Sequence, residues 1–243
     1  MRSPIDIPRL RAPLVLAAAI LLASCSPDAA PAAEDGDGAL AVPDGSPAPS
    51  PAASASGASA ARVVVGGVDL TGIGYDLGDP AAPIVIVELS DFGCPYCAQY
   101  ARETFPSIHR EYVETGKVFY KHVPFVMGMF PNGDRAARAA ACAGEQGRFW
   151  PMHDGVYARQ ADWKRGGEPD AVLARLATDI GADIGRWSAC YARGEHATTR
   201  LANEASERLG VRATPTFFID GQLVEGALPL ELMRQGLDGM LGG

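Results

Sequence analysis

Ile84-Val85-Ile86-Val87-Glu88-Leu89 leads, across a four-residue link, to Cys94-Pro95-Tyr96-Cys97. The first segment is apolar, β-branched and of strand length. Beyond the second segment, apolar side chains recur at helical spacing, at Cys97, Ala101, Phe105, Ile108 and Tyr112. The pattern predicts a buried strand that delivers two cysteines to the first turn of a helix.

Two cysteines three residues apart on a helix suit the opening and closing of a disulfide. Side chains at this spacing lie about 5–6 Å apart, and a disulfide requires Cα atoms within roughly 4.4–6.8 Å. The free N–H groups and dipole of a helix N-terminus favour a thiolate at Cys94. We therefore predict that Cys94 is the attacking, exposed thiol and Cys97 the buried resolving thiol. Pro95 suits the first helical position, and Tyr96, between the two sulfurs, is predicted to tune the thiolate.

Two other interpretations of this cysteine pair remain open. The pair could be half of a zinc site, which needs a second Cys or His pair at short spacing. Cys142 and Cys190 are far apart in sequence, and none of the four histidines is spaced to complete such a site. The pair could also be an inert local disulfide, although structural bridges seldom take this strand-to-helix position. We predict neither a metal ligand set nor a cofactor.

The cysteine motif, its strand and helix, and Ala213-Thr214-Pro215-Thr216 together resemble the thioredoxin superfamily. The long segment between them resembles the DsbA-like branch. Asp91-Phe92-Gly93, the run 145–150 and the run 210–218 agree with it in order, and the resemblance covers about residue 63 to the C-terminus. It implies an α/β thioredoxin fold, at residues 62–243, interrupted by a helical domain at about residues 131–200.

The resemblance also implies roles for particular residues. It implies a cis peptide bond at Thr214–Pro215, whose loop would bind an extended substrate through backbone groups. Cys142 and Cys190 would form a structural disulfide of the insert; the alternative is two buried free thiols.

Glu88 is the one charged residue in its apolar strand. Burial would raise its pKa and let it take the proton from Cys97, as an acid at this position does in related proteins. The alternative is a strand-end carboxylate that reaches solvent.

Secondary structure outside the motif follows from capping and breaker residues. Predicted helices run from Pro95 to about Thr115, from an N-cap at Asp134 through Cys142, from Phe149 to Gln160, from Pro169, around Cys190, around Ala205, and from Pro229. Predicted strands are Val63–Val65 at a sheet edge, Lys117–Phe125, and a hairpin around Asp220-Gly221.

Other candidate residues carry weaker signals. Lys121 and His122 lie at the end of the second strand, where they could approach the site; we predict a surface role for both. Met127, Met129 and Phe130 line either a substrate groove or the core. The remaining histidines are predicted to be structural or to face solvent; they are His109, His153 and His196.

The first 24 residues have the pattern of an export signal. Three arginines precede a short apolar run at residues 12–23, and Leu22-Ala23-Ser24-Cys25 resembles a bacterial lipobox. The lipobox implies cleavage before Cys25 and lipid attachment to its sulfur. The alternatives are ordinary signal cleavage nearby and an uncleaved anchor. Residues 25–61, rich in Ala, Pro, Ser and Gly, are predicted to be a flexible tether.

Charge and cysteine count restrict the compartment and the partners. The net charge of −8 becomes −10 when the three arginines and Asp6 of the signal are removed. This charge argues against nucleic acid and against electrostatic membrane binding. Without Cys25, four cysteines remain, an even number that suits an oxidising compartment.

Together these features predict a lipid-anchored thiol-disulfide oxidoreductase of the bacterial cell envelope. It would be a monomer that oxidises exported proteins with cysteines and is reoxidised by a membrane redox partner. It would lie in the periplasm, on the outer surface of the cytoplasmic membrane, or on the outer membrane. The same site could instead serve a disulfide reductase or isomerase. A second alternative is a lipoprotein that binds thiols or copper without catalysis, because thiolates suit Cu(I).

Overall fold

The structure is a computed structural model, and it describes residues 61–242. The strands are β1 (Val64–Val65), β2 (Val68–Asp69), β3 (Tyr75–Leu77), β4 (Ile84–Ser90), β5 (Val118–Pro124), β6 (Thr216–Ile219) and β7 (Gln222–Glu225). The helices are α1 (Pro95–Glu103), α2 (Phe105–Ile108), a π-helical turn (His109–Val113), α3 (Gly133–Gly144), α4 (Phe149–Ala158), α5 (Gln160–Arg165), α6 (Pro169–Asp179), α7 (Ile184–Tyr191), α8 (Ala197–Arg208) and α9 (Leu230–Leu241).

Five strands form one mixed sheet in the order β3-β5-β4-β6-β7. Strand β4 lies at its centre, parallel to β5 and antiparallel to β6. Apolar side chains alternate across both faces of β4, which is why this strand can be covered on both sides. The parallel register pairs Glu88 with His122. The chain continues from the end of β4 directly into the cysteine motif.

Three groups of buried side chains hold these layers together. One face of the sheet packs against α1, α2 and α9, with Ile86, Tyr100 and Phe217 among the buried residues. The other face packs against α8 and the β1–β2 hairpin. The third group is built mainly from helices α3 to α7, and it also includes Cys94 and Cys97. The cysteine motif thus shares a core with the inserted helices.

The first helix differs from the predicted continuous helix at residues 95–115. It ends at Glu103, and α2 and the π-helical turn follow. Pro106 has no N–H to donate to the carbonyl of Arg102, so the α-helical ladder breaks there. Thr104 lies at the break and donates its hydroxyl to the carbonyl of Leu228.

Helix ends in the insert also differ from the prediction. Asn132, not Asp134, is the N-cap of α3, and it adopts the left-handed conformation that asparagine tolerates. The helix predicted over Phe149–Gln160 is divided into α4 and α5 near Arg159. Strand β1 pairs only with β2, in a separate two-stranded sheet, and so is not an edge of the main sheet.

Several predictions concern residues outside the described range. These are the signal at residues 1–24, the lipidated Cys25, and the tether predicted at residues 25–61, of which only Ala61 is described. Among the residues that the structure describes, no helix has the length and apolar character needed to span a membrane.

Candidate active site

Cys94 is the N-cap of α1, and Cys97 lies one turn inside the helix. Pro95 occupies the first helical position, where its missing N–H costs nothing. Both cysteines carry free thiols. The thiol of Cys94 donates to the carbonyl of Thr214, at 3.2 Å, and the Thr214–Pro215 peptide bond is cis. The strand-to-helix geometry predicted for the motif is therefore present.

The environment of Cys94 favours its thiolate. Its pKa is lowered to about 6, chiefly because the Cys97 thiol donates a hydrogen bond to the Cys94 sulfur. The Thr214 side chain and the backbone N–H groups of Cys97 and Tyr96 act in the same direction, while burial opposes them. These N–H groups are the free donors of the first helical turn. Cys94 is thus prepared to act as nucleophile or as leaving group.

The environment of Cys97 has the opposite effect. Burial raises the pKa of Cys97 well above its ordinary value, and the nearby charges of Cys94 and Glu88 raise it further. A hydrogen bond from the Ser90 hydroxyl partly offsets this rise. Ser90 is in turn hydrogen-bonded to the hydroxyl of Tyr157 in α4, at 2.8 Å. The two thiols are therefore chemically distinct at neutral pH.

Cys94 is less exposed than the sequence predicted. Only 1% of the residue is accessible, because it lies on the floor of an apolar groove of about 440 Å³. We call this the Cys94 groove; its lining includes Tyr96, Met127, Met129, Phe130, Thr214 and Gly226. Tyr96 and Met129 are 63% and 66% exposed on its rim. A substrate thiol must therefore enter the groove to reach Cys94.

The loop before Cys94 is held by Asp91. One carboxylate oxygen accepts the N–H of Gly93, and the other accepts the N–H of Met127, each at 2.8 Å. Burial raises the pKa of Asp91 to about 6. Gly93 cannot carry a side chain, because a Cβ there would overlap the Cβ of Phe130. Asp91 thus links the cysteine loop to the wall of the groove.

A second anchor comes from the inserted helices. The side-chain amide of Gln160 in α5 donates to the carbonyls of Phe92 and Cys94, at 2.6 and 2.8 Å. Gln160 is buried, and the carbonyl of Cys94 also accepts the N–H of Ala98 within the first helical turn. The insert therefore positions the N-cap of the reactive helix.

Glu88 is buried behind the cysteine motif. One oxygen, Oε2, accepts the hydroxyl of Tyr120 at 2.7 Å and lies 3.2 Å from Nδ1 of His122. Burial acts to raise the pKa of Glu88, but the histidines His122 and His153 and the hydroxyl of Tyr120 outweigh it. The predicted rise of this pKa is therefore wrong: the pKa is lowered. An ionised Glu88 can accept a proton.

Lys121 and His122 do not have the predicted surface role. Both are completely buried. The ammonium group of Lys121 pairs with Asp76 and donates to the carbonyl of Ile73. Burial lowers the pKa of His122, so that its neutral ring can donate to Glu88. His122 is close to Glu88 because β4 and β5 pair in a parallel register that places residues 88 and 122 side by side.

A family model described as thioredoxin matches residues 71–239. The chain belongs to the thioredoxin family. The predicted α/β fold, with inserted helices, is confirmed, and so is the DsbA-like character of this thioredoxin-family chain. Alpha-DsbA1 of Wolbachia pipientis is 25% identical and aligns with a TM-score of 0.57 over 69% of this chain and 90% of that structure. BdbD of Bacillus subtilis, 20% identical, aligns with a TM-score of 0.63 over 75% of this chain and all of that structure, which shows the shared fold.

Two kinds of sequence relative accompany these structures. Disulfide bond formation protein D of Bacillus subtilis is 22% identical over 175 residues, which are 69% of this chain and 77% of that protein. The Na(+)/H(+) antiporter NhaA 3 of Salinispora tropica is 33% identical over 160 residues, which are 64% of this chain. The match spans only 23% of the antiporter, so its transport activity is not carried over to this thioredoxin-family chain.

The insert of this thioredoxin-family chain contains a disulfide. Cys142 of α3 and Cys190 of α7 are bonded, with Cα atoms 5.7 Å apart and a sequence separation of 48. Trp187 packs beside it and donates its ring N–H to the carbonyl of Ala139. The bond lies in the insert and leaves Cys94 and Cys97 as the free thiols of the described residues.

Among residues 61–242, two groups of side chains have donor atoms close enough to hold a metal ion. In the first, Glu88, His122 and His153 place one donor atom each within 4.8 Å of one another. Sequence spacing did not indicate this group, because its members lie on three different elements. The second group includes Cys190, whose sulfur is already in the disulfide. Neither group includes Cys94 or Cys97.

Sequence reasoning missed several residues that shape the site. These are Ser90, Asp91, Tyr120, Gln160, His153 and Tyr157. Asp91 lies three residues before Cys94, and aspartate side chains often accept the backbone N–H two residues further along the chain. Its contact with the loop could therefore have been predicted. His122 could have been paired with Glu88 by aligning the two predicted parallel strands. No local signal marks Gln160, because its partners are almost 70 residues away.

Proposed function

We propose that this chain is a thiol-disulfide oxidoreductase of the bacterial cell envelope that oxidises the thiols of exported proteins. One observation carries the proposal: Cys94, with its pKa lowered to about 6, faces the cis-proline loop, and Cys97, with a raised pKa, lies buried behind it. This asymmetry separates an attacked sulfur from a resolving sulfur. The two cysteines of an inert structural disulfide do not need different pKa values.

The reaction begins with the disulfide between Cys94 and Cys97. A substrate thiolate attacks the Cys94 sulfur in the groove, a mixed disulfide forms, and the electron pair of the broken bond goes to Cys97. Glu88 exchanges the proton that Cys97 gains or loses. A second substrate thiolate then attacks the substrate sulfur of the mixed disulfide, and Cys94 leaves as a thiolate. The substrate gains a disulfide, and the enzyme is left reduced.

The thiolate of Cys94 decides the direction of exchange. A lowered pKa stabilises the reduced enzyme and so makes its disulfide more oxidising. The value of about 6 lies between the values of about 3.5 for DsbA and about 7 for thioredoxin. A pKa below that of thioredoxin lies in the direction of a more oxidising disulfide, which is what oxidation of substrates requires. Since the value is closer to that of thioredoxin, reduction or isomerisation by the same residues is the second candidate.

The Cys94 groove supports an extended protein segment as the substrate. Its lining is mostly apolar, with Met127, Met129 and Phe130 on one wall. Flexible methionine side chains adapt to different partners. Thr214 on the other side offers its backbone N–H to an extended chain. Pro215 shapes this loop, but it has no N–H and its carbonyl accepts the N–H of Gly226. Such contacts bind unfolded segments with little sequence preference.

The location and the partners of the chain form part of this proposal. Lipid attached to Cys25 would hold the enzyme at a membrane, and residues 25–61 would let the folded domain reach its substrates. A membrane redox partner would reoxidise Cys94 and Cys97 after each turnover, because the reaction leaves both thiols reduced. The enzyme would act as a monomer. The even number of cysteines besides Cys25 agrees with an oxidising compartment.

The reduction potential of Cys94–Cys97 tests the direction. We would equilibrate the chain, with Cys142 and Cys190 replaced by serine, against glutathione buffers. The reference values are about −120 mV for DsbA and about −270 mV for thioredoxin. A value near the first supports oxidation of substrates. A value near the second contradicts it and supports a reductase.

Turnover of a reduced, unfolded protein tests catalysis itself. With oxidised glutathione present as the oxidant, the wild-type chain is expected to introduce disulfides and Cys94→Ser to be inactive. Cys97→Ser, loaded at Cys94 as a mixed disulfide with glutathione, is expected to exchange glutathione for the substrate and to accumulate the mixed disulfide with the substrate. A wild-type chain without turnover that binds Cu(I) through Cys94 and Cys97 would contradict the enzymatic proposal and favour a copper-binding lipoprotein.

A further inference from the structure

Protons that reach or leave Cys97 have to cross the protein interior. Cys97 is inaccessible, and only 1% of Glu88 is exposed. The reaction nevertheless requires Cys97 to lose a proton before it attacks and to gain one after it leaves. This point rests on the proposed function, in which Glu88 exchanges that proton. Glu88 must then exchange it with solvent through other groups.

Two of the contacts around Glu88 end in the interior. The hydroxyl of Tyr120 is bonded to Glu88 and lies 3.4 Å from the hydroxyl of Tyr100, and both tyrosines are buried. Within residues 61–242, the hydrogen bonds continue no further from Tyr100. His122 contacts Glu88 through Nδ1, but its buried Nε2 has no partner among these residues.

His153 of α4 lies between Glu88 and the protein surface. One of its ring nitrogens lies within 4.8 Å of a Glu88 oxygen and of a His122 nitrogen. Its Nδ1 lies 2.9 Å from Oδ1 of Asp154, whose side chain is 67% exposed. Asp154 also lines a solvent-open cavity of about 330 Å³ between α4 and helices α1 and α2. His153 thus stands between buried Glu88 and a carboxylate in solvent.

We propose that His153 and Asp154 carry protons between Glu88 and solvent whenever Cys97 is deprotonated or reprotonated. Oε1 of Glu88 has no hydrogen-bond partner in the described part of the chain, so this oxygen is free to give or take a proton while Oε2 keeps its bonds to Tyr120 and His122. The remaining gap of up to 4.8 Å closes through a small movement of the His153 side chain. His153 and Asp154 are positioning residues, because they act through Glu88 and do not touch the reacting sulfurs.

The steps balance in both directions. When Cys97 attacks Cys94 in a mixed disulfide, its proton passes to Glu88, a Cys94–Cys97 bond forms, and the partner thiolate leaves with the electron pair. Glu88 passes the proton to His153, which releases one to Asp154 and solvent. When Cys97 instead leaves as a thiolate, a proton travels inward by the same route. No oxidant or metal ion takes part in the transfer.

The titratable groups that face His153 are few. Glu88 faces it from β4, and Tyr120 and His122 lie close by on β5. On its own helix it contacts Asp154 and Tyr157. The remaining walls are aromatic, formed by Phe92, Phe105, Phe149 and Trp150. The ionised form of Glu88, favoured by its lowered pKa, is the form that accepts a proton.

The test isolates the step in which Cys97 acts. The reduced chain is mixed with oxidised glutathione, and the loss of the Cys94–glutathione mixed disulfide is followed by quenching and mass spectrometry from pH 5 to pH 9. We expect His153→Phe, which keeps an aromatic ring, and Asp154→Asn to slow this step about tenfold or more. The solvent isotope effect on the step rises, while the rate of the initial attack by Cys94 is unchanged.

Matched controls separate this role from packing. His109→Phe changes a neighbouring histidine that stacks on the same Phe105 but faces Glu114, and Asp162→Asn removes an exposed carboxylate of α5. Both controls are expected to resolve the mixed disulfide at the wild-type rate. Asp154→Asn is a surface change, so it serves as the test even where His153→Phe fails to fold.

Two outcomes would overturn the proposal. If Glu88→Gln is slow but His153→Phe and Asp154→Asn keep the wild-type rate and pH profile, Glu88 exchanges its proton by another route. If Glu88→Gln is also unaffected, the proposal falls together with the assigned role of Glu88. A wild-type chain that never resolves the mixed disulfide contradicts the proposed function itself.

Discussion

Ionisation of the Cys94 thiol determines the reactivity of the site. Its pKa is lowered to about 6, first by the hydrogen bond from Cys97, while the pKa of Cys97 lies far higher. We expect the rate of alkylation by iodoacetamide to follow a single titration with a midpoint near pH 6. Cys97→Ala removes the donor, so the midpoint should rise toward the ordinary value of about 8.5.

Cys97→Ser is the matched variant for this measurement, because its hydroxyl can still donate to the Cys94 sulfur. Its midpoint should lie between those of the wild type and Cys97→Ala. The assignment of the cause is wrong if Cys97→Ala titrates at the same pH as the wild type.

The same pKa predicts how the stability of the reduced form depends on pH. Above pH 6 the folded chain holds Cys94 as a thiolate, while the unfolded chain keeps the proton until about pH 8.5. The unfolded state binds more protons in this window, so the stability of the reduced form rises with pH and is lost as the pH falls through 6. The oxidised form has no such thiol.

Thermal unfolding of both redox forms between pH 5.5 and pH 8.5 measures this effect. The melting temperature of the reduced form, relative to that of the oxidised form, should increase steadily across the window. A difference that stays constant with pH would show that Cys94 titrates alike in the folded and unfolded chains.

At the residue scale, the sequence predicted the reactive pair but not its surroundings. Cys94 and Cys97 were identifiable because their spacing and helix position are local. The direction of the Glu88 pKa shift was not, since it depends on His122 and His153, which arrive from other elements. Burial alone predicts a rise, and only the assembled neighbours reverse it.

At the scale of single elements, the Cys142–Cys190 bond joins α3 to α7 across 48 residues of sequence. Removing both sulfurs with Cys142→Ala and Cys190→Ala should lower the free energy of unfolding by about 4 kcal/mol on the chain-entropy model. Urea denaturation measures this loss. The reduction potential of Cys94–Cys97 should be unchanged, and a shift of that potential would show that the bond also controls the site.

Helix α5 holds the reactive helix through one side chain. Gln160→Leu keeps the size of the residue but removes the donor to the carbonyls of Phe92 and Cys94. We expect a loss of about 1–3 kcal/mol in urea denaturation, together with a changed alkylation midpoint of Cys94. Gln99→Leu is the control, because Gln99 is exposed on α1 and its side-chain amide donates to the exposed Glu103. Equal effects of the two variants would contradict the anchoring role.

Predictions of elements succeeded where the signal was local. The Asp220-Gly221 pair marked the β6–β7 hairpin, and Pro169 marked the start of α6. The break in the first helix was missed because helical spacing of apolar residues continues across Pro106. The pairing of β1 with β2 was missed for a different reason: strand partners are chosen by tertiary contacts, which spacing along the chain does not reveal.

At the scale of the whole molecule, the proposed lipid anchor is tested through Cys25. A covalent acyl chain contributes about 0.8 kcal/mol per buried CH₂ to membrane binding, and the acidic surface supplies no compensating attraction. When the full chain is produced in bacteria, it should sediment with membranes, whereas Cys25→Ser should move to the soluble fraction. Equal sedimentation of the two chains would contradict lipid attachment at this cysteine.

The cysteine motif and helices α3 to α7 share one core. The inserted helices therefore form part of the surroundings of the redox site, and a domain without them would differ at that site. A shortened chain, with the sheet closed over the missing helices, would open Cys97 to water and remove the burial that keeps its pKa high. The difference in pKa between the two sulfurs would then shrink to what Glu88, the hydrogen bond between the thiols and the helix N-terminus provide. The inserted helices therefore enlarge the chemical difference between the sulfur that reacts with substrate and the sulfur that stays enclosed.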